Sequence, residues 1–183
     1  MEQNIRDLNT FFEETDGQHV LYSGTFDPFH FGHAKVAELG RRIPSCTGNP
    51  LIIVPHSFNG KKNIQTPLST RVRWIKESIQ EFLTNFFEQI VIVEDPKLDT
   101  NLEAFSTLIN RFSSRIHRVF GHDNDPEVLS ECGAIPVKVI QRIEDISSTL
   151  IRESIRCGSV DSIRFFVAQK VLDEILKDGH YRD

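Results

Sequence analysis

Gly24-Thr25-Phe26-Asp27-Pro28-Phe29-His30-Phe31-Gly32-His33 is the stretch on which the reading of this chain turns. Before it, residues 19–24 (His-Val-Leu-Tyr-Ser-Gly) form a short β-rich run that stops at glycine, the pattern of a strand. After it, residues 32–42 read as a helix, so the ten residues are a strand-to-helix loop. Gly24 lets backbone approach a ligand closely, and Pro28 sets a tight turn. His30 and His33 are three apart, so at the start of a helix their imidazoles share a face. Gly32 between them leaves that face open. The helix end adds N–H donors and the positive pole of a dipole, which favours phosphate. The result is an anion site with two tunable donors and no carboxylate nucleophile. Phosphoryl-group transfer needs this, because its catalysis is mostly positioning and charge stabilisation. Taken alone, a His-x-x-His is more often a helix cap or a core pair. A zinc pair would need a nearby Cys or Glu to complete the set, and the loop has neither.

Outward from the loop, β-rich runs alternate with helix-period segments. Further strands are expected at 51–55, 90–94, 116–121 and 135–140, several apolar on consecutive positions, as strands covered on both faces are. Helices are expected at 32–42, 69–86 and 101–114, one more from Ser148, and another over Val160–Leu176. In the second of these, Val72, Ile75, Ile79, Phe82 and Phe86 recur at spacings of three or four. Ile5, Leu8 and Phe12 suggest an extra short helix within the first 16 residues. Strand–helix alternation means parallel pairing through right-handed crossovers. The expected fold class is α/β: a Rossmann-like, doubly wound, parallel five-stranded sheet with helices on both faces, in one domain over 1–183 with a C-terminal helical part at 147–178. Ligands of such sheets bind beyond the carboxyl ends of the strands, where the strand order switches.

Composition narrows the function classes. The chain has 183 residues, 21 Lys and Arg against 26 Asp and Glu, and a net charge of −5. That balance argues against a dedicated nucleic-acid binder, whose affinity comes from surplus cations, but allows a local basic pocket for a phosphorylated small molecule. Uninterrupted apolar runs reach only four residues, far short of the ~20 a membrane span needs. Cys46, Cys132 and Cys157 are scattered, with no C-x-x-C, which suits a reducing compartment. The start, Met1-Glu2-Gln3-Asn4, has neither the basic residues nor the apolar run of a signal peptide. A cytoplasmic placement is the expectation, with self-association left open.

The loop resembles the His-x-Gly-His motif of the nucleotidylyltransferase superfamily. It is most similar to that of the nicotinate or nicotinamide mononucleotide adenylyltransferases, Gly-Thr-Phe-Asp-Pro-x-His-x-Gly-His. A second element agrees: Ile146-Ser147-Ser148-Thr149-Leu150-Ile151-Arg152 resembles the family's Ile-Ser-Ser-Thr-x-Ile-Arg. By itself it reads as a helix N-cap cluster, to which Arg152 adds a guanidinium for charge-assisted bonds to polyphosphate. The resemblance covers about residues 19–176. It implies an adenylyltransferase that joins the AMP part of ATP to a mononucleotide phosphate and releases pyrophosphate, in NAD biosynthesis. Mg²⁺ would be held mainly by the ATP phosphates.

The resemblance also implies roles. His30 and His33 are the catalytic donors, assisted by Lys61 or Lys62 in the loop Pro55-His56-Ser57-Phe58-Asn59-Gly60-Lys61-Lys62. That loop is not a Walker motif, since Pro55 stands where Gly is required and Lys62 where Ser or Thr is. Gly24, Thr25, Phe26, Gly32, Gly121, Asp123, Ser147, Ser148, Thr149 and Arg152 form the ATP-binding set, with Gly121-His122-Asp123 resembling the family's Gly-x-Asp turn. Thr100 and Arg71 are the acceptor contacts. No protein metal ligand is named. One departure bears on the acceptor: the family commonly places a tryptophan soon after the Gly-x-Asp turn, whereas the single Trp74 lies in a helix and residues 124–133 hold no aromatic. The alternatives are a pantetheine-phosphate adenylyltransferase, a CTP-dependent cytidylyltransferase, or a catalytically silent nucleotide sensor. A dinucleotide oxidoreductase would want Gly-x-Gly-x-x-Gly after the first strand, which is absent.

Overall fold

The computed structural model describes residues 4–58, 64, 66–121, 137–139 and 146–182. The strands are β1 (Asn4–Ile5), β2 (His19–Gly24), β3 (Leu51–Pro55), β4 (Ile90–Val93), β5 (Ile116–Phe120) and β6 (Val137–Val139). They form one sheet in the order β1-β4-β3-β2-β5-β6, and every pair is parallel. Between them run α1 (Leu8–Glu14), α2 (Phe31–Gly40), α3 (Leu68–Phe82), α4 (Pro96–Thr100) and α5 (Leu102–Arg111). Two more, α6 (Ser148–Arg156) and α7 (Gln169–Asp178), follow β6. Among the described residues no helix is long and apolar enough to cross a membrane.

Side chains alternate across the strands, so β2, β3, β4 and β5 each feed two cores. Val20, Tyr22, Leu51, Ile53, Ile90 and Ile92 pack on one face with Val36 of α2 and Val72, Ile75 and Ile79 of α3. Leu21, Ile52, Val54, Val93 and Ile116 pack on the other with Leu8 and Phe12 of α1 and Phe105 and Ile109 of α5. A third cluster joins Trp74 of α3 to Ile151 and Ile155 of α6 and Val171, Leu172 and Ile175 of α7. The C-terminal helices therefore pack beside α3.

Three expectations need correction. Among the described residues the sheet has six strands, not five: Asn4 and Ile5 pair with Ile92 and Val93, and the helix expected near the amino terminus starts only at Leu8. The helix expected over 69–86 ends at Phe82, and Thr84–Gln89 forms 3-10 turns. Phe82 and Phe86 still lean on the same core, which kept the apolar spacing helical beyond the end of the helix. The segment over Val160–Leu176 is a 3-10 turn at Val160–Ser162, then irregular chain, then α7. The carbonyl of Phe166 in that irregular stretch accepts from the Phe31 N–H at 2.8 Å, so it is directed to α2 instead of along a helix of its own. Asp95 caps α4 with Pro96 in the first turn, an N-cap–Pro signal the sequence carried but to which no separate helix was assigned.

From β2 the chain steps outward to β3 and β4, then returns to the opposite side of β2 for β5 and β6. The order therefore reverses beside β2, the position at which such sheets open a ligand crevice. Register pairs Gly24 with Pro55, so the loops after β2 and β3 leave the sheet side by side.

Candidate active site

Phe26 takes φ 50° in the loop after β2, a left-handed conformation that costs a non-glycine residue about 1 kcal/mol or more. Its ring is 1% exposed and meets those of Tyr22, Phe29 and His33 at centroid distances of 5.1, 5.5 and 5.1 Å. This packing holds the strained turn. Gly24 leaves room for the same ring, since a Cβ there would lie 3.0 Å from Phe26 Cε1.

The two histidines form a reciprocal cap on α2. His30 Nδ1 accepts from the Gly32 N–H at 3.1 Å, and His33 Nδ1 accepts from the His30 N–H at 3.3 Å. In a neutral ring with Nδ1 accepting, the proton resides on Nε2, so both imidazoles carry Nε2 as their donor. The rings stack at 3.7 Å between centroids. His30 is 4% exposed; His33 is half-buried, with Phe29 5.3 Å away. Gly32 fits because a Cβ would come within 3.0 Å of His30 Cε1 and 3.1 Å of Ile146 Cγ2. One part of the sequence picture changes here. The first-turn N–H groups of Phe31 and Gly32 are used by the Phe166 carbonyl and His30 Nδ1, so the histidine rings, more than those backbone donors, characterise this helix end.

The second element lies against the first. Ser147 caps α6, accepting from the Leu150 N–H at 3.1 Å. Ser148, buried, donates to the Pro28 carbonyl at 3.1 Å. Arg152 donates to the Asp27 carbonyl at 2.5 Å and to Thr149 Oγ1 at 3.3 Å. Segments more than a hundred residues apart are thus joined at the turn that carries the histidine pair. Ser148 and Thr149 lie in the first turn of α6, where N–H groups precede the first intrahelical bond.

Arg71 and Thr100 are placed differently from that group. Arg71 is 1% exposed and pairs with Asp99 at 2.7 Å. It also donates to the carbonyls of Thr25 (2.9 Å), Thr66 (3.1 Å) and His56 (3.4 Å). Asp99 in turn accepts through its carbonyl from the Ser57 N–H at 2.7 Å. Arg71 therefore clasps the loops that follow β2 and β3 to the end of α4. Thr100 is exposed, its hydroxyl donating to the Pro96 carbonyl at 3.1 Å. Gly121 follows β5, where a Cβ would strike Val36 Cγ2 at 2.7 Å. Trp74 is fully buried beside His180 and Tyr181, away from any stacking role at the site. Lys61, Lys62 and Asp123 lie outside the described residues.

Asp27 and Tyr181 gained no role from the sequence. Asp27 is 1% exposed, and its Oδ1 accepts from the Tyr181 hydroxyl. Asp27 stood in view inside the motif, but nothing local marks its partner 154 residues on. His56 stacks on Phe58 at 4.0 Å between centroids and donates its backbone N–H to the Gly24 carbonyl at 2.9 Å, flooring the loop after β3.

Around the turn the described side chains offer imidazoles, hydroxyls and a guanidinium, and the one carboxyl, that of Asp27, is buried and held by Tyr181. Among the described residues the one group of three potential metal ligands, Glu174, Asp178 and His180, lies at the end of α7. Such a donor set suits an anion, and a divalent ion that arrives with its own phosphate ligands, better than a metal caged by protein.

The chain is similar to several known proteins. The chain is 29% identical over 106 residues to the probable nicotinate-nucleotide adenylyltransferase of Sulfurimonas denitrificans, a match spanning 57% of this chain and 56%, about half, of that relative. A solved structure from Vibrio parahaemolyticus, provisionally assigned as a nicotinate-nucleotide adenylyltransferase, is similar with a TM-score of 0.63 at 17% identity, covering 92% of this chain and 97% of that one. The Plasmodium falciparum nicotinic acid mononucleotide adenylyltransferase complexed with NaAD gives 0.53 at 14% identity, over 91% and 98%. At such identities these two likenesses are of fold. The Cytidylyltransferase-like family matches residues 21–154, a span that holds both the histidine turn and the Ser147–Arg152 helix start, and the chain belongs to this family of nucleotidyltransferases.

Proposed function

We propose that the protein is an adenylyltransferase that transfers AMP from ATP to nicotinate or nicotinamide mononucleotide. The observation that carries this reading is the junction at Asp27 and Pro28, where Ser148 and Arg152 bond the turn bearing His30 and His33. It brings the histidine rings and the first turn of α6 to one turn, which supports a site for the two ends of a triphosphate. The relative and the two similar solved structures named above support the acceptor class.

An oxygen of the acceptor phosphate attacks the α-phosphorus of ATP in line. The bond from that phosphorus to the bridging oxygen of the β-phosphate breaks, and pyrophosphate leaves with the electron pair. The attacking phosphate is already ionised at neutral pH, so no general base is needed. His30 and His33 donate from Nε2 to the α- and β-phosphate oxygens as charge grows there, and Lys61 or Lys62 assists. Close aromatic walls at Phe26 and Phe29 lower the local dielectric and strengthen those bonds. Ser147, Ser148, Thr149 and Arg152 hold the β- and γ-phosphates, while Gly24, Thr25, Phe26, Gly32, Gly121 and Asp123 line the nucleotide. Thr100 faces the acceptor, and Arg71 acts from beneath it by fixing Thr25 and His56. Mg²⁺ would be held mainly by the ATP phosphates and would supply neutralisation of the polyphosphate charge. The enzyme works in the cytoplasm.

The test is a matrix of ATP and CTP against nicotinate mononucleotide, nicotinamide mononucleotide and phosphopantetheine, scored by pyrophosphate release and product mass. The expected outcome is a dinucleotide from ATP and a pyridine mononucleotide. Turnover only with CTP or phosphopantetheine overturns the acceptor assignment, and ATP binding without product under any acceptor overturns the catalytic one.

A further inference from the structure

After α7 the chain reads Gly179-His180-Tyr181. Gly179 ends the helix in the left-handed conformation at φ 73°, and the His180 N–H returns to the Ile175 carbonyl at 3.0 Å, a common helix exit. The next step is unusual. Tyr181 also has positive φ, 65°, where its Cβ is crowded, and a residue stays there only when its surroundings hold it. This second left-handed step turns the side chain back into the protein, where it is 4% exposed beside the Trp74 ring.

The Tyr181 hydroxyl meets Asp27 Oδ1 and, at 3.1 Å, Thr66 Oγ1. A carboxylate oxygen accepts, so the phenol donates to Asp27 and the Thr66 hydroxyl donates to the phenol oxygen. Burial, reinforced by the negative charge of Asp27, raises the phenol far above its ordinary range, so it remains a donor at any pH the protein meets. Asp27 Oδ2 is buried and has no partner among the described residues; there, Tyr181 is what orients this carboxyl. Asp27 lies between Phe26 and Pro28, and its own carbonyl receives Arg152. The histidine turn is therefore gripped through Asp27 from two sides, by α6 and by the segment after α7.

We propose that Tyr181 is a positioning residue: its hydroxyl, acting through the Asp27 side chain, sets the His30–His33 turn against the start of α6. The inference deepens the adenylyl-transfer reading and rests on it for its kinetic consequence, though not for its structural one.

The experiment compares wild type, Tyr181→Phe, Asp27→Ala and the double variant of the two, each in the full chain, with Leu172→Ala as a control that loosens the same C-terminal cluster without touching Asp27. Three readouts are taken well below the melting temperature: kcat and KM with ATP and nicotinate mononucleotide, the melting temperature itself, and the imidazole proton resonances of His30 and His33. A displaced near-attack geometry costs about 10- to 100-fold in rate. Tyr181→Phe is therefore expected to lower kcat by that factor, leave both KM values within about twofold, and shift both imidazole resonances. Asp27→Ala should do the same, and the double variant should be no worse than either single one, as for two groups acting through one bond. Leu172→Ala should lower the melting temperature and leave kcat and the resonances in place. A Tyr181→Phe protein that resembles Leu172→Ala, less stable but with unchanged kcat and unshifted imidazoles, overturns the proposal. If Tyr181→Phe does not fold, Asp27→Ala decides by the same criteria. If wild type forms no product from any acceptor, the adenylyl-transfer reading fails on its own, and the imidazole shifts alone decide the positioning role.

Discussion

Replacing Arg71 by methionine keeps most of the side-chain volume and removes only the guanidinium. Its Nη2 lies 2.7 Å from Asp99 Oδ1, with the arginine side chain 1% and the aspartate side chain 10% exposed. Removing one partner of a buried ion pair leaves the other charge uncompensated and costs about 3–5 kcal/mol. The carbonyls of Thr25, Thr66 and His56 lose a donor in the same step. In a chain of this size each kcal/mol moves the melting temperature by about 2–4 °C, so a loss of about 10 °C is expected. Arg71→Lys keeps the charge, but one ammonium cannot span the carbonyls and the carboxylate that the planar fork reaches together, so it should recover only part of that loss. The assay is a thermal melt followed by circular dichroism, with steady-state kinetics alongside. If Arg71 instead reaches the acceptor phosphate directly, Arg71→Lys would raise the acceptor KM and hardly move the melt. A melting temperature within about 2 °C of wild type, together with a raised acceptor KM, refutes the clasp and restores the direct contact.

Three further outcomes are expected. His33→Ala should lower turnover by ~10², the effect of losing one donor to developing charge, while the circular dichroism spectrum stays native; near-wild-type turnover removes His33 from the mechanism. Gly32→Ala places a Cβ 3.0 Å from His30 Cε1 and 3.1 Å from Ile146 Cγ2, so kcat should fall while overall stability changes little, and unchanged kcat would show that the His30 ring has room to move. Burial between Phe11 and Phe12 holds the His19 imidazole below its ordinary pKa. The unfolded chain, at about 6.5, then takes up the proton first. Stability from this group is present above that pH and is lost as the pH falls toward the folded value. Melts from pH 7 to pH 5 should show a decline that His19→Gln flattens, and an equal decline in both proteins would exclude His19 as its cause.

The amino-acid order alone carried what is local. β2, β3 and β4 were legible because runs such as Leu51–Val54 and Ile90–Val93 are apolar at every position, and a strand clothed on both faces needs nothing else. The Gly24–His33 turn was legible because its glycines, proline and paired histidines act within a few residues of one another. The capping start of α6 was legible for the same reason. Tertiary structure decided the rest. Asn4 and Ile5 extend the sheet only because β4 offers them an edge, and two residues are too few to show a period. Val160–Leu176 kept a helical spacing because Ile163, Val167 and Val171 reach one cluster, yet the bond from Phe31 to the Phe166 carbonyl requires the chain to bend there. Arg71 on α3 was expected, from the resemblance, to contact the acceptor, but the facing carbonyls and Asp99 make it the buried centre of a clasp. Nothing near Tyr181 indicates that its hydroxyl ends on Asp27. Periodicity and turn chemistry act between residues a few positions apart, whereas a buried polar group must find its partner wherever folding brings one within reach, and here that partner stands far away along the chain.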